Sequence, residues 1–127
     1  MKEVMEHVYN EERVDFRTHL KEILNDPPQP WGAFRQEYAS VQSCQQALEG
    51  FLMERETSIA WLKALGSPDW VVSSQVPFGP AADVLVLNAG DVLVSWVDHD
   101  FLHLRQMIEL LHAWNEKQAS LYSVQCN

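Results

Sequence analysis

The chain has 127 residues, enough for one domain with a core of its own. Lys and Arg number 9 against 18 Asp and Glu, and this net charge of −9 argues against nucleic acid and anionic membrane as partners, since both attract basic patches. Two cysteines give no disulfide framework, the start Met1-Lys2-Glu3-Val4-Met5-Glu6 has no apolar signal-peptide core, and the longest aliphatic run, Val84-Leu85-Val86-Leu87, is far too short for a bilayer, so the expectation is a single cytoplasmic domain over 1–127.

The first predicted helix covers about 2–25. Its residues are good helix formers without internal Gly or Pro, and Asn25-Asp26-Pro27-Pro28 stops it because the residue before proline disfavours the helical region. Val4, His7, Val8, Glu11 and Val14 share one side. Residues 27–39 form a connection, stiffened by Pro27-Pro28-Gln29-Pro30 and anchored by Trp31, Phe34 and Tyr38. Its length allows it to cross the end of a bundle.

A second helix is predicted over 40–65, with Gly66 as C-cap and Pro68 beyond. Val41, Cys44, Leu48, Phe51, Arg55, Ile59 and Leu62 form one stripe, with Gly50 allowing close packing. A buried, inert thiol is expected at Cys44 and an exposed one at Cys126. Arg55 interrupts the stripe. It either snorkels to the core's edge or holds acidic partners or a substrate. Residues 67–88 contain the turn Pro77-Phe78-Gly79-Pro80 between two short β-branched runs, which form either a small hairpin or irregular cover.

The last helix begins near Asn88, with Asp91 placed as its capping-box partner, and runs to about 118. It carries His99 and His103, one turn apart, with Cβ atoms roughly 5–6 Å apart. Both lie on a stripe with Val92, Trp96, Gln106, Leu110 and Trp114. Two inward imidazoles are either hydrogen-bonded core residues or a pair of metal ligands, and a metal would need a third ligand from elsewhere. His19 and His112 stand too many turns from the other histidines to supply one.

These residues resemble the DinB-like (DinB/YfiT-like) superfamily of helical metalloproteins along nearly the whole chain. The resemblance is carried by Glu6-His7 with Glu11-Glu12-Arg13-Val14-Asp15, by Asp26-Pro27 with Gln29-Pro30-Trp31, by Phe51-Leu52 with Glu54-Arg55, and above all by Trp96-Val97-Asp98-His99-Asp100 with Leu102-His103-Leu104-Arg105-Gln106. It implies an all-α fold: an up-down-down-up four-helix bundle with a long crossover, here lacking the family's first helix. It also implies a three-histidine site of His7, His99 and His103 for a divalent metal, zinc or nickel before iron. Two departures stand out. Asn10 occupies the place of a usual aspartate, leaving Glu12 or Glu11 as proton acceptors. The absent helix would leave an apolar flank open, which implies a homodimer or else a start assigned too late in the gene.

Two functions are expected on this basis. One is a metal-dependent enzyme acting on a small molecule, a thiol-dependent S-transferase or a hydrolase, with Arg55 and Arg105 as substrate anchors and Asp98 and Asp100 as supporting or surface groups. The other is a non-catalytic helical binding module with a structural or vestigial metal site.

Overall fold

The computed structural model describes residues 1–80 and 83–125; Cys126 lies outside them. Its centre is one long helical rod. Helix α1 (Lys2–Asn10) passes into a π-helical turn (Glu11–Phe16) and on into α2 (Arg17–Leu24). Asn10 and Arg17 keep helical backbone angles, so the rod is unbroken at both junctions. A π turn fits one extra residue into the coil and rotates the next stretch of helix about the axis. Asn25 then turns to extended backbone two residues before Pro27 and ends the rod.

After the crossover, Ser43 caps α3 (Cys44–Ala64) by accepting a bond from the Gln46 amide at 3.0 Å. The helix thus starts a turn later than the periodicity predicts, because a hydroxyl cap outranks continued apolar spacing. Gly66, with φ of 67°, follows its end. Strands β1 (Ser73–Phe78) and β2 (Asp83–Asn88) pair antiparallel, in register from Ser73 opposite Asn88 to Phe78 opposite Asp83. Helix α4 (Ala89–Gln125) comes directly after β2. Its start is the reciprocal box predicted from sequence: the Asp91 amide donates to Asn88 Oδ1 at 2.8 Å, and the Asn88 amide to Asp91 Oδ2 at 3.0 Å.

This corrects the expected fold. The molecule is not an all-α four-helix bundle but a mixed structure of three helical rods and a two-stranded antiparallel sheet. The residues from Ser73 to Asn88 make the difference. Pro77 cannot donate to a helical ladder, and Gly79, with φ of 70°, follows β1, so that the β-branched run of β2 pairs with Ser73–Phe78 and Trp70-Val71-Val72 stays outside the sheet. The long crossover between the first two helices is present.

The rod is the shared packing surface. Helix α3 lies along α1 and the π turn, while α4 lies chiefly along α2 and α1. Leu20 and Ile23 are fully buried against Ala89, Val92 and Trp96, with Phe16, Trp31 and Trp61 around them. Burying a side chain of that size contributes about 1.5–3 kcal/mol. A second cluster joins Met5, Val41 and Ala47 to Tyr9, Phe51 and a half-buried Cys44. Gly50 faces Tyr9 there. A Cβ at this position would stand 2.9 Å from the Tyr9 ring, so glycine permits the close approach of α1 and α3.

Because α3 is covered chiefly by the rod, its buried face is narrow. Ala47 and Ser58 are its buried residues, whereas Leu48 and Ile59 of the predicted stripe stand exposed. The far half of α4 is likewise open, with Phe101, Ile108 and Trp114 each more than half exposed. Among the described residues, no helix is long and apolar enough to cross a membrane.

Candidate metal centre

Three histidines from the two ends of the sequence meet between the rod and α4. Val4 and Val8 bury the rod's inner face, which sets His7 at its edge. Buried Val92 and Trp96 hold α4 so that His99 and His103, the next turns on, look back at His7. His7 Nε2 lies 3.3 Å from His99 Nε2, and His103 Nε2 lies 3.0 Å from the same atom. One ligand atom from each histidine falls within 4.8 Å of the others, and among the described residues no fourth His, Cys, Asp or Glu joins the group.

Two of the three separations match those of a shared divalent cation, and the third lies within 4.8 Å. Tetrahedral zinc bonds of about 2.0–2.1 Å place ligand nitrogens roughly 3.3 Å apart. A single proton on His99 Nε2 can bridge to one neighbour, not to both, whereas a shared cation would engage all three nitrogens. Burial lowers the pKa of His7 and His99, and neighbouring histidines lower both further. Metal ligation requires the neutral form this favours. With Nε2 turned inward, His103 Nδ1 donates to Gln106 Oε1 at 2.9 Å, which fixes the ring. Glu11 Oε1 stands 3.8 Å from His7 Nδ1.

Glu11 begins a column of ionisable groups on the rod's face: His7, Glu11, Asp15 and His19, four residues apart. Burial raises the Glu11 pKa to about 7, helped by its hydrogen bond to Asp15, while the Tyr38 hydroxyl donates to Glu11 Oε1 at 3.1 Å. Burial also pushes Asp15 up, but hydrogen bonds with His19 and Glu11 outweigh it and leave Asp15 below its ordinary value. His19 Nε2 is 3.0 Å from Asp15 Oδ1, and its Nδ1 is 2.7 Å from Glu22 Oε2. Burial opposes charge on His19, yet these two carboxylates raise its pKa above the usual histidine value. The Trp31 indole lies flat on the His19 ring at 3.6 Å.

Glu12 faces elsewhere. It is almost fully buried and grips Arg55, with Nε and Nη2 at 2.9 and 2.7 Å, while Trp96 Nε1 donates to it at 2.8 Å. Arg55 also donates to both oxygens of Asp100, at 2.6 and 2.8 Å. Its head therefore neither snorkels outward nor waits for substrate; it joins the rod, α3 and α4. Of the two glutamates considered as proton acceptors, Glu11 stands beside the histidines and Glu12 is held in this hub.

The remaining residues fall outside the centre. Asn10 donates to the carbonyl of Ala39 at 2.9 Å and accepts from the Ala39 amide at 2.7 Å, so it pins the end of the crossover, a task for an amide and not for a carboxylate. Asp98 is exposed. Arg105 pairs with Glu109, and His112 with Glu116, on open helix surface. Sequence reasoning missed Asp15, His19, Glu22 and Trp31 as a unit. Their four-residue spacing below His7 was visible, but the link through Trp31 depends on the crossover's path.

No protein-family model matches the chain, and no curated protein sequence matches it.

Proposed function

We propose that this chain is a metal-dependent enzyme of the DinB-like superfamily, cytoplasmic, using His7, His99 and His103 to hold a zinc or nickel ion, with iron as a third choice, and acting on a small molecule as a thiol-dependent S-transferase or a hydrolase. The observation that carries it is the convergence of the three imidazoles at ligand spacing without a fourth protein ligand in the group. A divalent cation held by His7, His99 and His103 would supply Lewis-acid chemistry toward a water or thiol. Glu11, poised near pH 7 and 3.8 Å from His7 Nδ1, would accept the proton of that water or thiol. Glu12 and Arg55 hold the helices, and so the ligand geometry, in place.

A second reading is a non-catalytic binding module whose histidines hold metal for stability or hold none. The open apolar surface on α3 and α4 favours it, with Met53, Phe101 and Ile108 each about two-thirds exposed or more. Patches of that kind mark interfaces, and in either reading the proposed partner is a second copy of the chain.

The deciding experiment is elemental analysis of protein purified without a metal column, as wild type and as His103→Ala. Near-stoichiometric zinc, nickel or iron in the wild type, lost in the variant, is expected. A wild type that takes up no ion on incubation with each would sink the metalloenzyme reading.

A further inference from the structure

A cavity of about 760 Å³ lies between the rod and the crossover, beside the acid column. That is within the usual range of roughly 300–1,000 Å³ for small-molecule sites. Asp15 and His19 form its rod side; Trp31, Arg35, Glu37 and Tyr38 form its crossover side. Its walls are tied in place. The fully buried Glu22 accepts the amides of Gly32 and Phe34 at 2.9 and 2.6 Å, Trp31 stacks on His19, and the Tyr38 hydroxyl is fixed on Glu11.

The charges in the cleft divide into used and free. His19 is spent between Asp15 and Glu22. Among the described residues, no ion pair engages Arg35 or Glu37. Asp15 keeps a third of its side chain open. The crossover side thus offers an unpaired guanidinium and carboxylate, and the rod side offers Asp15, paired with His19 yet partly open, with Trp31 and Tyr38 beside them. An anion would enter against a net charge of −9, and a simple cation would leave Arg35 unpartnered. A ligand carrying both charges meets neither objection.

We propose that this cleft binds a small zwitterion of the amino-acid type, its carboxylate on Arg35, its ammonium between Glu37 and Asp15, and its side chain against Trp31 and Tyr38. A guanidinium takes a carboxylate in a two-point fork, and aromatic faces beside carboxylates suit an ammonium. Tyr38 also walls the groove that contains His7. Asp15 lies about two turns, roughly 11 Å, along the rod from His7. The cleft and the histidine groove thus share the Tyr38 wall. As the substrate class of the metal centre this rests on the enzymatic reading above; as a binding site it does not.

The test is NMR titration of the Trp31 indole N–H signal, assigned with Trp31→Phe. The probes are L-serine, L-leucine and L-phenylalanine, each beside its decarboxylated amine and its deaminated acid. The titrations are run on zinc-treated wild type, on Arg35→Gln and on His7→Ala. Saturable shifts with at least one amino acid are expected, weakened about tenfold or more on loss of either ligand charge and by Arg35→Gln, and retained in His7→Ala. Equal binding of zwitterion, amine and acid, binding of one charge class alone, indifference to Arg35→Gln, or no shift with any probe would overturn the proposal. Retention in His7→Ala keeps the outcome independent of whether the histidines hold metal.

Discussion

Glu11 and Glu12 are neighbours in sequence, yet they belong to two regions with opposite electrostatic design. Glu12 sits in a hub between three helices, where both its oxygens accept from Arg55 and Trp96 and Asp100 shares the guanidinium. Glu11 sits in an open column, where burial without a full counter-charge leaves a carboxyl that titrates near pH 7. A carboxylate with matched donors becomes structure; one with a carboxyl neighbour and a nearby histidine stays available for proton transfer. Two facing directions on one rod thus separate a fully partnered carboxylate from one that titrates near neutrality.

The largest expected effect breaks the hub. Glu12→Ala leaves the Trp96 N–H and the Arg55 Nε without their acceptor while Asp100 still holds the guanidinium, and a buried donor left unsatisfied costs about 1–3 kcal/mol. Urea unfolding should show this loss, and a cost close to zero would mean that the hub is not closed.

The column should respond more mildly and with pH. His19 has a pKa raised above the unfolded 6.5, so its charged contacts stabilise fully below that pH and fade as pH rises through the folded value. Bonds to charged partners contribute about 1.5–3 kcal/mol. Melting of His19→Gln against wild type from pH 5.5 to 9 should show a gap that narrows with rising pH; a constant gap would place the contribution in stacking on Trp31.

The smallest effect has the opposite sign. The Glu11 pKa is raised from 4.5 to about 7, so ionisation of Glu11 withdraws stability as pH climbs between those values, and the loss is complete above the upper one. Glu11→Gln should therefore melt slightly higher than wild type at pH 8 and about equally at pH 4. A variant less stable at both would show that Glu11 is held as firmly as Glu12.

Local chemistry made much of this legible from the chain. The Asn88–Asp91 box, the stop at Asn25, the Gly66 end and the helical pairing of His99 with His103 all depend on contacts within a few residues, which sequence spacing encodes. His7 joined them through the resemblance and not through periodicity. The expectation of an all-α bundle failed at the stretch from Ser73 to Asn88, where short apolar runs suit strand and helix alike until they find a pairing partner. The different fates of Glu11 and Glu12, the inward turn of Arg55, and the meeting of His19 with Trp31 were decided by tertiary structure alone. Each depends on how the π turn rotates the rod and on which distant surface packs against it, and no local preference carries that information.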